Sequence, residues 1–588
     1  MEGPAADNHG VALTAVRPAA TPDPVASPAP GRAWVWAAAG IALVLPVASA
    51  PVAELPTWAL RWALLPALAG LGLPPLVASA LRPGVARGTA RWALAWLAWA
   101  ALATALAPQP VVAFWGEYRV GTGWVMLAAV AGAWAIGARA GERGARVVAS
   151  ALLAACAVNA GVAVASELVD LSSLGMAPLG GRAVGFYGNP VYLAELLCGG
   201  LWLALVRLGT PARRRLAAAA GILTAAAIEL SGSRAALALA VAAGVVAVVR
   251  GRGRARVLAA VVVAGGIALG AGVGALAAAS TTGTDRVTSI AVADTGGAPR
   301  VDTWRGGLSA LGSRPLWGWG PGGTLAAAGP RRTLRVARDE GPDRMFADAH
   351  DLLVEAAIAT GAVGLALLLA WVATGVAASR RRPSGEGLLG FAALVVGVTL
   401  AEPMHVGVTP LAALALGAAA SWGVPNAVRR RRAATAAGIA VGAAGLLVTG
   451  WLAAGLIALD QADLAGNPVA ATAAARRLPP WGEPDAIVGR LIAFQGIAGQ
   501  DPSKLDTAMR WWAAAAARDP ADPGRWDDLG GALEHAGRLG AAAGAYERAL
   551  RDNPWSARAY SGLVRLGPPT VPPATVAAAR AKLALLAP

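Results

Sequence analysis

Residues 212–257 begin with Ala212-Arg213-Arg214-Arg215 and continue through the apolar run Leu216 to Leu230 (LAAAAGILTAAAIEL) to the turn Ser231-Gly232-Ser233-Arg234. A second apolar run, Ala235 to Val249 (AALALAVAAGVVAVV), follows, and the stretch closes on Arg250-Gly251-Arg252-Gly253-Arg254-Ala255-Arg256-Val257. Two apolar runs thus carry dense arginine at their outer ends and one arginine between them. The same arrangement extends along the chain. Candidate spans lie at 33–50, 57–81, 92–107, 122–138, 147–168, 190–206, 216–230, 235–249, 257–280, 352–378, 388–401, 406–422 and 433–459. Most approach the roughly 20 apolar residues that cross a bilayer. Every second gap is arginine-rich: Arg82/Arg87/Arg91, Arg139/Arg143/Arg146, Arg207/Arg213/Arg214/Arg215, Arg250/Arg252/Arg254/Arg256, Arg380/Arg381/Arg382 and Arg429/Arg430/Arg431/Arg432. The intervening short gaps hold Arg119, Arg182 and Arg234. Short cytoplasmic loops collect Arg and Lys, so the rich face reads as cytoplasmic and those three arginines as outward-facing. The expected fold is all-α, a polytopic transmembrane bundle of 12 to 13 spans. The runs at 216–230 and 235–249 are short, and either cross fully or form a re-entrant pair.

Across 588 residues, 56% are hydrophobic and 14% charged, which fits a membrane domain with one soluble appendage. The net charge of +16 reflects topological arginines rather than a nucleic-acid footprint, and no basic-aromatic module accompanies it. Cys156 and Cys198 both fall in apolar runs, so they read as small core residues and not as a disulfide or zinc framework.

Residues 1–32 are rich in Pro and Ala and contain no apolar h-region, which reads as a disordered cytoplasmic tail without a cleavable signal. The membrane domain runs over 33–459, with a large external loop at 281–351. An external helical domain occupies 460–588. There, Asp519-Pro520 and Asn553-Pro554 stand 34 residues apart, the tetratricopeptide period. Trp526, Leu529, Gly530, Leu533, Ala536, Gly537, Ala542, Tyr546, Ala549 and Leu550 follow that repeat's pattern of small and large residues. Such a solenoid serves either as a docking surface for a protein partner or long substrate, or as a structural cap leaning on the membrane domain.

Arginine inside a membrane segment costs about 2.5 to 3.5 kcal/mol on insertion scales, so Arg234 calls for an internal acid such as Glu229 or for an anionic ligand. Glu167, Glu195, Glu229, Glu355 and Glu402 all sit near the outer ends of their helices. Coupled carriers place such groups near the midplane, so a site at the outer interface fits better than a transport path. His350 stands where the external loop re-enters the membrane, in Asp348-Ala349-His350-Asp351-Leu352-Leu353. Imidazole can take a proton from a hydroxyl near neutral pH. The Asp348/His350/Asp351 spacing also suits a divalent ion, but no second ligand cluster accompanies it and no metal is assigned. Gly318-Trp319-Gly320-Pro321-Gly322-Gly323 follows no strand and opens no nucleotide-binding helix, and no Walker-type sequence occurs. Trp304, Trp317 and Trp319 read as packing or interfacial anchors ahead of sugar platforms.

Four blocks, in order, resemble the O-antigen ligase/polymerase family of bacterial membrane glycosyltransferases. They are Gly185-Phe186-Tyr187-Gly188-Asn189-Pro190-Val191-Tyr192-Leu193-Ala194; Ser231-Gly232-Ser233-Arg234-Ala235; Arg300-Val301-Asp302-Thr303-Trp304 with Arg314-Pro315-Leu316-Trp317-Gly318-Trp319-Gly320-Pro321-Gly322; and Ala349-His350-Asp351-Leu352-Leu353 running to Thr360-Gly361. The resemblance spans roughly Arg119 to Trp422, and a tetratricopeptide tail is familiar in the family. The chain departs from the family pattern at Asp351, where Asn is common, and at Val191, where a second Asn is frequent. The resemblance implies transfer of a glycan from a polyprenyl-diphosphate carrier to a glycan, lipid or protein hydroxyl outside the bacterial cytoplasmic membrane, with neither metal nor nucleotide cofactor. It further implies His350 as base or acceptor-orienting group and Arg234 and Arg300 as diphosphate contacts, with Arg119, Arg182 and Asn189 as further substrate contacts. Ligase and polymerase share this donor chemistry. Outside the class stand a lipid-linked glycan exporter or flippase and a non-catalytic tetratricopeptide scaffold.

Overall fold

The computed structural model describes residues 31–49, 58–81, 86–280, 297–380, 385–420 and 432–587. The expected N-terminal tail lies almost wholly outside them, as does the Arg429–Arg431 part of one cluster. The fold is all-α: no strand occurs among the described residues, and Leu179 and Arg182 form one isolated bridge. Each of the thirteen expected spans is occupied by a helical run. Six are long and apolar enough to cross a membrane by length and composition: Ala59–Leu81, Gly141–Ala165, Pro190–Arg207, Arg254–Ala278, Leu352–Arg380 and Gly438–Leu464. The chain is a multi-pass membrane protein.

Helix Trp124–Arg139 is the hub. Val125 to Ala138 are buried around its full circumference, as expected of a helix that is apolar on every side. Its neighbours approach closely because glycine removes the side chain at the crossings. A Cβ on Gly72 would lie 2.1 Å from the Cα of Gly132, and one on Gly417 would lie 2.1 Å from the carbonyl oxygen of Trp134. Small residues of this kind drive helix association where no hydrophobic force separates protein from lipid. Arg214–Leu230 and Arg234–Arg250 have 17 residues each. They are two helices of about 25 Å at 1.5 Å per residue, joined by the Ser231–Ser233 turn. Ser233 caps the second by accepting from the Ala236 amide. Both cysteines are buried.

The helix Leu352–Arg380 breaks at Gly361, where φ is 68° and ψ is −174°. A break in lipid frees backbone groups that need partners. The loop that precedes this helix supplies them: the amides of Trp319 and Gly320 donate to the carbonyls of Ile358 (2.8 Å) and Ala359 (2.9 Å), and the Ala362 amide donates to Pro315 (2.9 Å). The indole of Trp99 reaches the Thr360 carbonyl at 3.0 Å. The Arg314–Gly320 block therefore docks into the broken helix. Gly318, at φ 71°, is required there because a Cβ would stand 2.4 Å from the Ile358 carbonyl oxygen.

In the tail, helices Gly482–Ala498, Pro502–Arg518, Pro523–His535, Leu539–Asp552, Ala557–Leu566 and Pro573–Leu586 stack in sequence. Tyr546 is buried between Gly530 and Gly562, where added Cβ atoms would lie 2.6 and 2.3 Å from its ring. This contact explains the spacing of small and large residues that marks the repeat. The tail grips the membrane domain twice. The indole of Trp481 donates to the Gly116 carbonyl (2.8 Å) and its ring packs on Trp62 and Tyr118. At the far end, Trp555 and Asn553 donate to the carbonyls of Arg332 (2.9 Å) and Pro342 (2.8 Å), and Ser556 to the Asp343 carboxylate (2.9 Å).

Candidate functional site

The long loop before helix Leu352–Arg380, the turn before helix Arg234–Arg250, and the connection 400–408 meet at one end of the bundle. Arg300 rises from the first turn of helix Gly297–Ala310. It donates from Nη1 to the Ala401 carbonyl at 2.5 Å and from Nη2 to Glu402 at 3.1 Å. Arg182 enters from the other side, where its Nε donates to the Ser231 carbonyl at 2.6 Å and its side chain lies over Gly232. Arg234 opens the helix that leaves this same turn and is exposed.

Glu402 is the common neighbour. Burial pushes its carboxyl above the ordinary range, while the charges of Arg300, His350 and Arg182 pull it back down. Burial lowers the Arg182 guanidinium, and Glu402 opposes that shift. Two arginines and the histidine thus share the field of one carboxylate.

His350 is held in an unusual backbone state, with φ 52°. For a residue with a Cβ this costs of order 1 to 3 kcal/mol and persists only where surroundings enforce it. Asp348 does so: one carboxylate oxygen accepts the His350 amide at 2.8 Å and lies 2.6 Å from ring Nδ1. Phe346 packs edge-on against the ring at 5.1 Å. Burial favours the neutral ring, and Arg300 acts in the same direction. The Asp348 carboxylate outweighs both, holding the imidazole above its ordinary value. Asp351 caps the following helix by accepting the Leu353 and Val354 amides, each at 2.8 Å. That task needs one acceptor oxygen, which Asn and Asp both carry.

Glu355 ties the loops together, accepting the Ala349 amide at 2.9 Å and the Thr324 hydroxyl at 2.8 Å through Oε2. Its other oxygen is buried without a hydrogen-bond partner. It stands at the wall of an apolar cavity of about 310 Å³, lined also by Trp96, Met126, Leu352, Trp371 and Leu416. Leu353, Leu369, Val372 and Leu400 line the same cavity and are more than a third exposed, marking a sideways mouth between helices.

The sequence-derived residues divide accordingly. Arg182, Arg300 and His350 come together, and Arg234 joins them through the turn that Arg182 grips. Asn189 caps helix Pro190–Arg207 by accepting the Val191 amide. Arg119, at φ 69°, lies by Tyr118 in the seam with the tail, 5.5 Å from that ring, and its charge acts on Tyr118 there together with Asp460 and Glu483. Trp304 and Trp319 spend their indole N–H groups on the carbonyls of Ala349 (2.6 Å) and Ala310 (3.1 Å), a packing role.

Sequence reasoning passed over Arg61 and His405. Arg61, fully buried in helix Ala59–Leu81, donates to the carbonyls of Leu45 and Pro46 and lies 4.1 Å over the Tyr187 ring. Arg61 thus adds an arginine at this end of the bundle to those in the gaps, and it does so from inside a span. His405 stacks on Tyr192 at 4.0 Å, and its Nδ1 accepts the Gly407 amide at 3.1 Å. Burial keeps it far below its ordinary value, hence neutral. The insertion cost of arginine would have flagged Arg61. No local signal marks His405.

Residues 219–369 match the O-antigen ligase family, and residues 523–566 match the tetratricopeptide repeat. The membrane domain carries an O-antigen ligase domain. The match includes Arg234, Arg300, His350 and Gly361, while Arg182 and Glu402 lie on either side of it. None of the curated proteins matches the chain. The O-antigen ligase resemblance and its tetratricopeptide tail are thus both found by comparison, and the glycosyltransferase-like character of that family attaches to the segment bearing the site.

Proposed function

We propose that this O-antigen ligase-family protein transfers a glycan from a polyprenyl-diphosphate carrier to an acceptor hydroxyl, on the outer side of the bacterial cytoplasmic membrane. One observation carries the reading: Arg182, Arg300 and an Asp348-oriented imidazole share the field of Glu402, and Leu353 and Leu400, neighbours in sequence of His350 and Glu402, line an apolar cavity that opens sideways between helices. An amphipathic donor matches this division, with isoprenoid in the cavity and diphosphate at the guanidiniums. Arginine suits phosphate because its planar fork pairs two oxygens at once. Each charge-assisted contact contributes about 1.5 to 3 kcal/mol.

The reaction is an in-line displacement at the anomeric carbon. His350 Nε2 takes the acceptor hydroxyl proton as the new C–O bond forms, and the bond to the diphosphate oxygen breaks. The carrier diphosphate departs with the electron pair, and Arg300, Arg234 and Arg182 stabilise its charge. Asp348 keeps Nδ1 engaged, so that the basic nitrogen faces the acceptor. Glu402 serves as the arginines' internal counter-ion when no diphosphate is bound.

The test uses purified full-length protein in lipid nanodiscs, a polyprenyl-diphosphate oligosaccharide and candidate acceptors, with mass analysis of products. A glycosylated acceptor formed without nucleotide or ion gradient is the expected result. Movement of the donor across the bilayer with its diphosphate bond intact would instead mark an exporter and overturn the proposal.

A further inference from the structure

On the arginine-rich face, two connections do more than carry charge. Residues 207–216 and 249–257 contain Arg207, Arg213, Arg214, Arg215, Arg250, Arg252, Arg254 and Arg256, and no acid. A topological signal needs only Lys and Arg in a short loop. Here both loops converge on a single pocket of about 450 Å³ between the ends of four helices. Arg214, Arg250, Arg252 and Arg254 form its rim, while Trp202 and Ala259 belong to its apolar wall. Among the described residues no carboxylate lines it. Arg214 is fixed at the rim by donation from Nε to the Leu208 carbonyl at 3.0 Å.

A second observation identifies the kind of anion. At the same helix ends, Leu216, Val249 and Val257 are 75%, 72% and 63% exposed. A soluble anion has no use for this apolar collar, whereas a lipid lays its chains along it and its phosphate in the rim. Basic pockets between helices at a membrane surface bind lipid head groups by this division of charge and chain. We infer that this pocket is a binding site for the phosphate head group of an anionic phospholipid. It lies at the opposite end of the helices from the Arg300–His350 cluster: helix Arg234–Arg250 runs from the site's turn to the pocket rim, and Arg214–Leu230 runs back. A head group in the rim therefore joins the inner ends of the helix pair whose outer turn Arg182 grips.

The full-length protein, delipidated in mild detergent and re-exposed to a mixture of phosphatidylcholine and phosphatidylglycerol, is examined by native mass spectrometry. One retained phosphatidylglycerol per chain is expected, with phosphatidylcholine absent. The triple variant Arg250→Gln/Arg252→Gln/Arg254→Gln should retain at least tenfold less. Arg143→Gln/Arg146→Gln, in an arginine-rich connection outside the pocket, should bind as the parent does. Ala259→Phe keeps every arginine and fills the wall, so it should also lose the lipid while inserting normally. Equal retention by the pocket variants, equal loss in the control pair, or displacement by millimolar inorganic phosphate would overturn the inference, the last by assigning the rim to a free ion.

Discussion

At the level of single residues, the proposed chemistry turns on Asp348 and His350. With its value raised by Asp348, the imidazole of His350 is protonated at slightly acidic pH and must lose that proton to act as a base. Transfer should rise with pH through a midpoint above the ordinary imidazole value of about 6.5. Asp348→Asn removes the charge that raises it, so the midpoint should move down while the maximal rate falls about tenfold or more, because the ring loses its orientation. An unmoved midpoint in pH–rate profiles would assign the titration to another group. Arg300→Lys keeps the charge and loses the fork. Its two bonds, to Ala401 and Glu402, cannot both be kept by one ammonium. Donor KM should rise roughly tenfold, which equals about 1.4 kcal/mol, as expected for one lost charge-assisted contact. At this level Arg182 and Arg234 stand out in arginine-poor gaps, His350 at the loop's re-entry, and Arg300 through the family resemblance. Glu402 was legible as an outer acid but not as their common partner, since the pairing spans about a hundred residues. His405 and Arg61 are buried together around Tyr187 by tertiary packing alone.

At the level of elements, arginine spacing and apolar run length located all thirteen helical runs, because insertion energetics are written locally. Their ends were less legible. Helix Ala86–Ala105 begins six residues before the run that suggested it, since Arg87 and Arg91 extend the helix beyond the apolar part. The break at Gly361 was invisible as a break, because Leu352 to Ala378 is uniformly apolar and only the docked Arg314–Gly320 block reveals why the helix opens. Gly361→Ala tests this dependence. The new Cβ would lie 2.2 Å from the Leu316 carbonyl oxygen, at a φ that L-residues rarely adopt. Thermal unfolding in detergent should show a loss of at least about 1 to 3 kcal/mol. Transfer should fall with it, as the block that leads from helix Gly297–Ala310 to the re-entry loses its anchor. An alanine variant as stable and active as the parent would show that the break is incidental.

At the level of the whole molecule, the tail is built into the domain bearing the site, and its seam is made of acids. Burial raises the carboxyl of Glu117, and its neighbours Asp519 and Asp522 raise it further. Asp519 is raised by burial and by Asp522, with Arg525 opposing, and Asp522 is raised by burial in the same way. Arg525, paired with Glu483 and Asp522, is the seam's nearby cation, and its own value is held up by those acids against burial. Burial and mutual repulsion leave the docked state favouring protonated Glu117, Asp519 and Asp522. Separated, the same carboxyls would titrate near 4. Docking therefore takes up protons: it is strongest below the ordinary carboxylate range and weakens as pH rises toward and through the raised values. Hydrogen exchange of the 516–526 segment should accelerate between pH 5 and 8 beyond the intrinsic chemical rate, while that of helix Leu539–Asp552, held by its own core around Tyr546, should not. Asp519→Asn removes one buried charge and should flatten the slope while leaving the acid-side protection intact. If the variant keeps the full slope, the titrating group is not Asp519, docking rests on Trp481 with its aromatic contacts to Trp62 and Tyr118, and the acid cluster is only a packed surface.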